Sequence, residues 1–172
     1  MSHMGLTLLQ IIHHYGSVGV FFLLAVGVLA LPVPDETLLL LTGALAKNQT
    51  LSVFPAGVAA CLGAITGITL SYVLGQAIGR FALQRLCQKF RINTKHLDKA
   101  EASFAKIGQW FLLIGFFVPG VRHFIGIIAG AARLHYLRFI IFGWVGAILW
   151  TNIFFWLGYY YGIKALHAVL AM

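Results

Sequence analysis

Acids are scarce in this chain. Asp and Glu together number four in 172 residues, and all charged residues make up 9% against 60% hydrophobic. So little charge excludes an ordinary soluble domain, because a core of this size cannot hide that much apolar surface from water. Cysteine is rarer still. Cys61 lies in an apolar run and Cys87 in a basic stretch, with no ligand spacing between them, so no structural disulfide is expected. The histidines, His13 and His14 early in the chain and His96 and His135 in loops, match no metal site. A nucleophile–base pair, a phosphate-cradling loop and a dinucleotide fingerprint are all missing, so neither an enzyme nor a bound cofactor is expected. The N-terminus lacks the basic region and small-residue cleavage site of a secretory signal, so no processing is expected either, and Met1–Met4 carry no weight.

What the chain does have is long apolar runs. Residues 54–78 and 139–157 contain no acid or base. Each is long enough to span roughly 30 Å of hydrocarbon at about 1.5 Å per helical residue. The chain therefore reads as an all-α integral membrane protein. Its net charge of +8 comes mostly from seven bases in one stretch, Arg80, Arg85, Lys89, Arg91, Lys95, Lys99 and Lys106. In a membrane protein such a stretch marks the cytoplasmic side rather than a nucleic-acid surface. Leu83, Leu86 and Phe90, then Leu97, Phe104 and Ile107, recur at near-helical spacing, which suits amphipathic helices on anionic headgroups. A solvated basic loop with no specific ligand fits the same residues.

Residues 18–46 are too long for one straight crossing and too interrupted for two, since Pro32, Pro34, Asp35 and Glu36 fall in the middle. The prolines remove backbone donors and break the helix. The two pieces, about fourteen and about ten residues, give roughly 21 Å and 15 Å of helix, which suits a re-entrant hairpin. Residues 107–133 repeat the pattern around "PGVRH" (119–123). Placing Pro34 on Pro119, Gly43 on Gly130, Phe54 on Phe139, Gly75 on Gly158 and Gly79 on Gly162 gives offsets of 83 to 87 throughout.

The chain thus reads as one membrane domain with an internal repeat. Repeat 1 (17–79) is a hairpin with its tip at 32–36 and a transmembrane helix at 53–79. A basic amphipathic cytoplasmic segment (80–106) follows. Repeat 2 (107–163) has its tip at 118–123 and its transmembrane helix at 137–162. Each repeat crosses once, so the second copy is inverted, an arrangement that in transporters brings broken helices to the midplane. Re-entrant hairpins put nine bases inside, two outside and Arg122 in the membrane; single kinked crossings give eight and three. The positive-inside bias favours the first. Gly63/Gly67, Gly75/Gly79, Gly126/Gly130 and Gly158/Gly162 are GxxxG pairs suited to close helix packing, and such faces permit a homodimer.

Asp35, Glu36 and Arg122 are the ionisable residues that this pattern puts at membrane depth. A charge there costs at least about 2.5 kcal/mol, so each needs a partner or a wet cavity. Arg122 cannot shed its charge, whereas a buried Glu can take up a proton. Pairing Glu36 with Arg122 either pins the hairpins together or forms a gate that opens when Arg122 binds a phosphate in bidentate fashion. Half-helix N-termini near Thr37 and Phe124 aim positive dipole ends at an anion. Asp35 in P-D-E-T is expected to cap the following half-helix through the Thr37 or Leu38 amide, or else to join the chemistry. His123 is either a proton relay or a spectator. Trp150, Trp156 and Tyr159–Tyr161 suit an interfacial aromatic belt, although Trp150 and Asn152 are deep enough to line a path.

The stretches "PVPDETLLLLTGALA" (32–46), "SYVLGQAIGR" (71–80), "FFVPGVRHFIGIIAGAARLHYLRF" (116–139) and "GAILWTNIFFWLGYYYG" (146–162) together resemble the DedA family, bacterial membrane proteins that share the SNARE-associated or VTT domain. The resemblance implies a small multi-pass lipid transporter of the bacterial cytoplasmic (inner) membrane. Its implied cargo is undecaprenyl phosphate or phosphatidylethanolamine, moved with a link to protons or membrane potential. It puts the family acid on Glu36 and the family Arg on Arg122, and it leaves Asp35 where relatives often have Gly or Ser. Two departures stand out. Many relatives carry an acid where this chain has Gly27 and an Arg where it has Phe116, and losing both leaves the buried charge balanced. Longer members also continue past the second long helix.

The function expected is therefore a flippase- or scramblase-like translocase of a phosphate-bearing lipid headgroup. A proton-coupled transporter of small solutes or ions is the alternative, but it needs a polar stripe along the long helices, and Ser71, Gln76, Thr151 and Asn152 are few for that. A non-transporting assembly factor, with Glu36 and Arg122 purely structural, is the third reading.

Overall fold

The computed structural model describes residues 3–27, 35–89, 107–118 and 121–162, with side chains at 15–27, 35–78, 107–118 and 121–162. Every regular element among these residues is helical. The element α1 (His3–Gly27) changes direction at Gly16, whose φ of 55° is left-handed and suits glycine, and its apolar part is Tyr15–Gly27. Next come α2 (Asp35–Lys47), α3 (Val53–Lys89), α4 (Trp110–Gly115), α5 (Arg122–Ala131) and α6 (Tyr136–Phe139). A π-helical turn (Ile140–Trp144) then leads into α7 (Val145–Tyr161). Residues 32–34 and 119–120, at the expected hairpin tips, lie outside the described residues, as does 90–106 of the basic segment.

Among the described residues two stretches are long and apolar enough to cross a membrane, Val53–Ile78 and Tyr136–Tyr161, each 26 residues. At the helical rise that is about 39 Å, enough for the hydrocarbon with some tilt. The α3 helix begins just after Ser52, a good N-cap residue type, and holds Pro55 in its first turn, where a missing amide costs nothing. It then runs ten residues past the expected end at 79. The residues there, "RFALQRLCQK", are nearly all good helix formers with no Gly or Pro among them, so nothing stops the helix where the apolar run does. The outward residues of both stretches, Val58, Leu62, Leu70 and Val73 on α3 and Ile148, Leu149, Ile153 and Leu157 on α7, are exposed. Apolar faces of that extent suit lipid rather than water.

The chain divides into two compact units, Met1–Ala64 with Leu149–Met172, and Ile65–Ile148. In the first, Val20, Leu24, Leu38, Leu39, Ala60, Trp150 and Phe155 are buried. Gly63 lets α3 approach the backbone of α1, with a side-chain carbon there falling 2.6 Å from the Phe21 carbonyl oxygen. Gly43 on α2 meets the Phe155 carbonyl and the Tyr159 amide of α7, and Gly158 meets the Leu40 carbonyl in return.

In the second unit, Ile68, Tyr72, Phe111, Leu112, Phe116, Ile125 and Phe139 form the core. Gly130 on α5 meets the Tyr72 carbonyl and the Gln76 amide of α3, and Gly75 meets the Ile127 carbonyl in return. Tyr72 locks this side: its hydroxyl donates to the Leu134 carbonyl and accepts from Gln76 Nε2 at 2.8 Å, and its ring stacks on Phe139 at 4.1 Å. Trp144 Nε1 donates to Thr69 Oγ1 at 3.1 Å, which ties the π-helical turn to α3. Phe116 sits against Gly146 at the start of α7.

Candidate functional site

The first unit holds Asp35 and Glu36. Asp35 and Glu36 open α2, where carboxylates complement the positive end of the helix dipole. Asp35 is completely buried and Glu36 is half-buried. A side-chain carbon on Gly27 would collide with Asp35 Oδ1, so the last residue of α1 leaves the room that this carboxylate occupies. Asp35 is therefore a tightly packed buried carboxylate, and its meeting with residue 27 is not legible in the linear pattern, because the two lie on either side of Pro32 and Pro34.

Thr37 follows directly and is buried, and its hydroxyl makes no hydrogen bond among the described residues; the same holds for Thr151 on α7. Buried hydroxyls without partners are uncommon, and they leave hydrogen-bonding capacity for a ligand. Thr42, a turn further along, instead donates to the Leu38 carbonyl at 2.7 Å. At the far end of α2, Lys47 Nζ donates to the Tyr160 carbonyl at 3.1 Å. An exposed cluster of Trp156, Tyr160 and Tyr161 sits at that same end, with Trp156 and Tyr160 stacked at 5.9 Å.

Of the residues expected to line a path, Trp150 is only 1% exposed and packs beside Phe154, so its ring is part of the core. Asn152 is half-buried and donates through Nδ2 to Cys61 Sγ at 3.5 Å, a polar contact in the middle of two apolar helices. A separate apolar groove of about 350 Å³ opens between α1 and α3, walled by Val18, Phe21, Val58 and Leu62.

The second unit holds Arg122 and His123. After α4 the backbone turns through Phe117 N–H to the Ile114 carbonyl (3.0 Å) and Val118 N–H to the Gly115 carbonyl (3.2 Å). The Val121 and Arg122 amides then donate to the Val118 carbonyl, and α5 begins at Arg122. The helix starts two residues before Phe124, so Arg122 itself is at its N-terminus. Arg122 is 6% exposed, and His123 is half-buried. A buried guanidinium suits an anion because its planar fork can donate in bidentate fashion, whereas the Val121, Arg122 and Phe124 amides at this helix start are spent on the Val118 and Val121 carbonyls. Phe116 is buried at 2% exposure. Its ring fills the core against Gly146. Glu36 and Arg122, the expected pair, belong to different units.

Comparison with known proteins now adds to this geometry. The VTT domain family model matches residues 33–160, from the start of the acid-bearing turn to the end of the second long helix. The uncharacterized membrane protein YbfM of Bacillus subtilis is 29% identical over 154 residues, covering 90% of this chain and 95% of that protein. An uncharacterized membrane protein of Synechocystis is 35% identical over 156 residues, 91% of this chain and 72% of its own length. Protein DedA of Escherichia coli is 29% identical over 168 residues, 93% of this chain and 76% of that protein. No solved structure matches the chain. The helical architecture, the two apolar stretches, the extent of the domain match and the relatives agree: this is a membrane protein of the DedA family, built on the VTT domain.

Proposed function

We propose that this protein is a translocase for a phosphate-bearing lipid headgroup, such as undecaprenyl phosphate or phosphatidylethanolamine, in the bacterial cytoplasmic membrane. It acts as a non-enzymatic multi-pass transporter built from two opposed re-entrant hairpins. The observation that carries this reading is Arg122, buried at the N-terminus of α5 among apolar residues such as Val121 and Ile125. A permanent cation in such a place is expensive unless it serves an anion. Arg122 holds the phosphate, Glu36 gates or couples protons, and His123 stands beside the guanidinium to relay them. Thr37 contributes its unspent hydroxyl. The acyl or polyprenyl chains stay in the bilayer, and apolar surfaces such as the groove between α1 and α3 suit them.

The mirrored glycine contacts support the repeat that underlies this reading. Leu40 and Gly43 meet Gly158 and Phe155 in one unit, and Ile127 and Gly130 meet Gly75 and Tyr72 in the other. Matching residues are 87 apart on the half-helices and 83 apart on the long helices. Two copies with one crossing each then face opposite ways, which gives a headgroup the same kind of entrance from either side.

The test is reconstitution of the purified protein in liposomes carrying labelled undecaprenyl phosphate or phosphatidylethanolamine. Wild type is expected to move one of the lipids, and Arg122→Ala and Glu36→Ala to slow it at least ~10-fold, the scale of one lost charge-assisted contact. Folded variants that move lipid at the wild-type rate contradict the residue roles. A wild type that moves neither lipid contradicts the function.

A further inference from the structure

The contacts within the two units set a register between the hairpins that differs from the one the prolines suggest. Aligned by Pro34 and Pro119, 85 apart, Asp35 falls on Gly120. Aligned by the packed residues Leu40 with Ile127 and Gly43 with Gly130, 87 apart, Asp35 falls on Arg122 and Glu36 on His123. The packing register is the better guide, because these residues make the same backbone contacts in each unit. Burial and helix position agree with it. Asp35 and Arg122 are each the first residue of their helix, and each is buried, at 0% and 6% exposure. Glu36 and His123 are each the second, and each is half-buried. Gly27 adds an independent observation: the end of α1 has no side chain at the point where the Asp35 carboxylate lies.

We propose that Asp35 is a second headgroup-contacting acid, the first hairpin's counterpart of Arg122, and that it acts through its negative charge rather than as a helix cap. This rests on the translocase reading and extends it, since that reading assigns the acid role to Glu36 alone. The two roles of Asp35 separate chemically. A cap needs only an acceptor, which Asn supplies as well as Asp. A contact to a cationic or proton-bearing group needs the charge, which Asn lacks. Charge at that point also does not depend on which helix delivers it, because residues 27 and 35 address the same point.

In the same lipid-filled vesicles, Asp35→Asn is expected to lower transport at least ~10-fold while melting within a few degrees of wild type. The transposed variant Gly27→Asp/Asp35→Gly is expected to recover to within about three-fold of wild type, a rescue that a purely structural role does not produce. If Asp35→Asn transports at the wild-type rate while Arg122→Ala does not, this inference is overturned and the translocase reading stands. A wild type that moves no lipid overturns both. Should Asp35→Asn not fold, the transposed variant decides alone: near-wild-type transport supports the charge role, and a folded but inactive protein overturns it.

Discussion

Gly27 and Asp35 show how one missing side chain organises a charged position. Because a carbon at residue 27 would strike the Asp35 carboxylate, Gly27→Ala is expected to destabilise the protein by about 1–3 kcal/mol, the range for overpacking a filled site. Asp35→Ala in the same chain removes the obstacle and recovers part of that loss. A double-mutant cycle read by thermal unfolding in detergent checks it; additive effects would mean that the two residues do not meet. Arg122 gives a second prediction at this scale. Arg122→Lys keeps the charge but loses the planar fork, so folding is expected to survive while lipid transport drops about 10-fold. Unchanged transport would remove bidentate phosphate binding from the account. The sequence made Asp35, Glu36 and Arg122 conspicuous, since charge in an apolar run is legible without a structure. It did not make the burial of Asp35 legible, because that depends on which residue of the other leg faces it across the break. The same holds for Phe116, whose ring proves to fill a core against Gly146.

At the level of elements, glycines decide how closely the half-helices approach the long ones. Gly43 and Gly130 make matching contacts, with a side-chain carbon falling 2.7 Å from the Tyr159 amide nitrogen in one case and 2.8 Å from the Gln76 amide nitrogen in the other. Gly43→Ala and Gly130→Ala are therefore expected to lower the melting temperature by similar amounts, each costing more than about 1 kcal/mol, because backbone cannot yield as a flexible side chain does. Gly57→Ala is the control: its nearest neighbour is a Phe155 ring carbon at 3.9 Å, so little change is expected. A large loss from Gly57→Ala, or none from Gly43→Ala, would contradict the packing. The GxxxG spacing pointed to these surfaces but gave its members one role where there are two. Gly158 packs, while Gly162 has a φ of 56° with no neighbour among the described residues and follows the end of α7, donating to the Gly158 carbonyl at 2.8 Å. Helix ends were legible only where Gly or Pro marks them. The end of the apolar run near residue 79 marks where hydrocarbon would stop, and α3 continues because its next residues favour helix in water as well. The π-helical turn at Ile140–Trp144 left no sign in the periodicity, since a single extra residue per turn barely disturbs a uniformly apolar run.

For the whole molecule, the transport proposal depends on the two copies facing opposite sides of the membrane. Lys47 ends α2 and bonds to the Tyr160 carbonyl, so both positions belong to one compartment, the external one in the proposed topology. Arg138 is exposed, and in the proposed topology it belongs to the cytoplasm with the basic segment. Single cysteines report this directly once Cys61 and Cys87 are replaced. Lys47→Cys, Tyr160→Cys and Arg138→Cys are each treated in intact cells with a membrane-impermeant thiol reagent, and again after the membrane is opened. Opposed copies require labelling of positions 47 and 160 from outside and of position 138 only after opening; labelling of positions 47 and 138 from the same side would contradict the inverted repeat and the transport mechanism built on it.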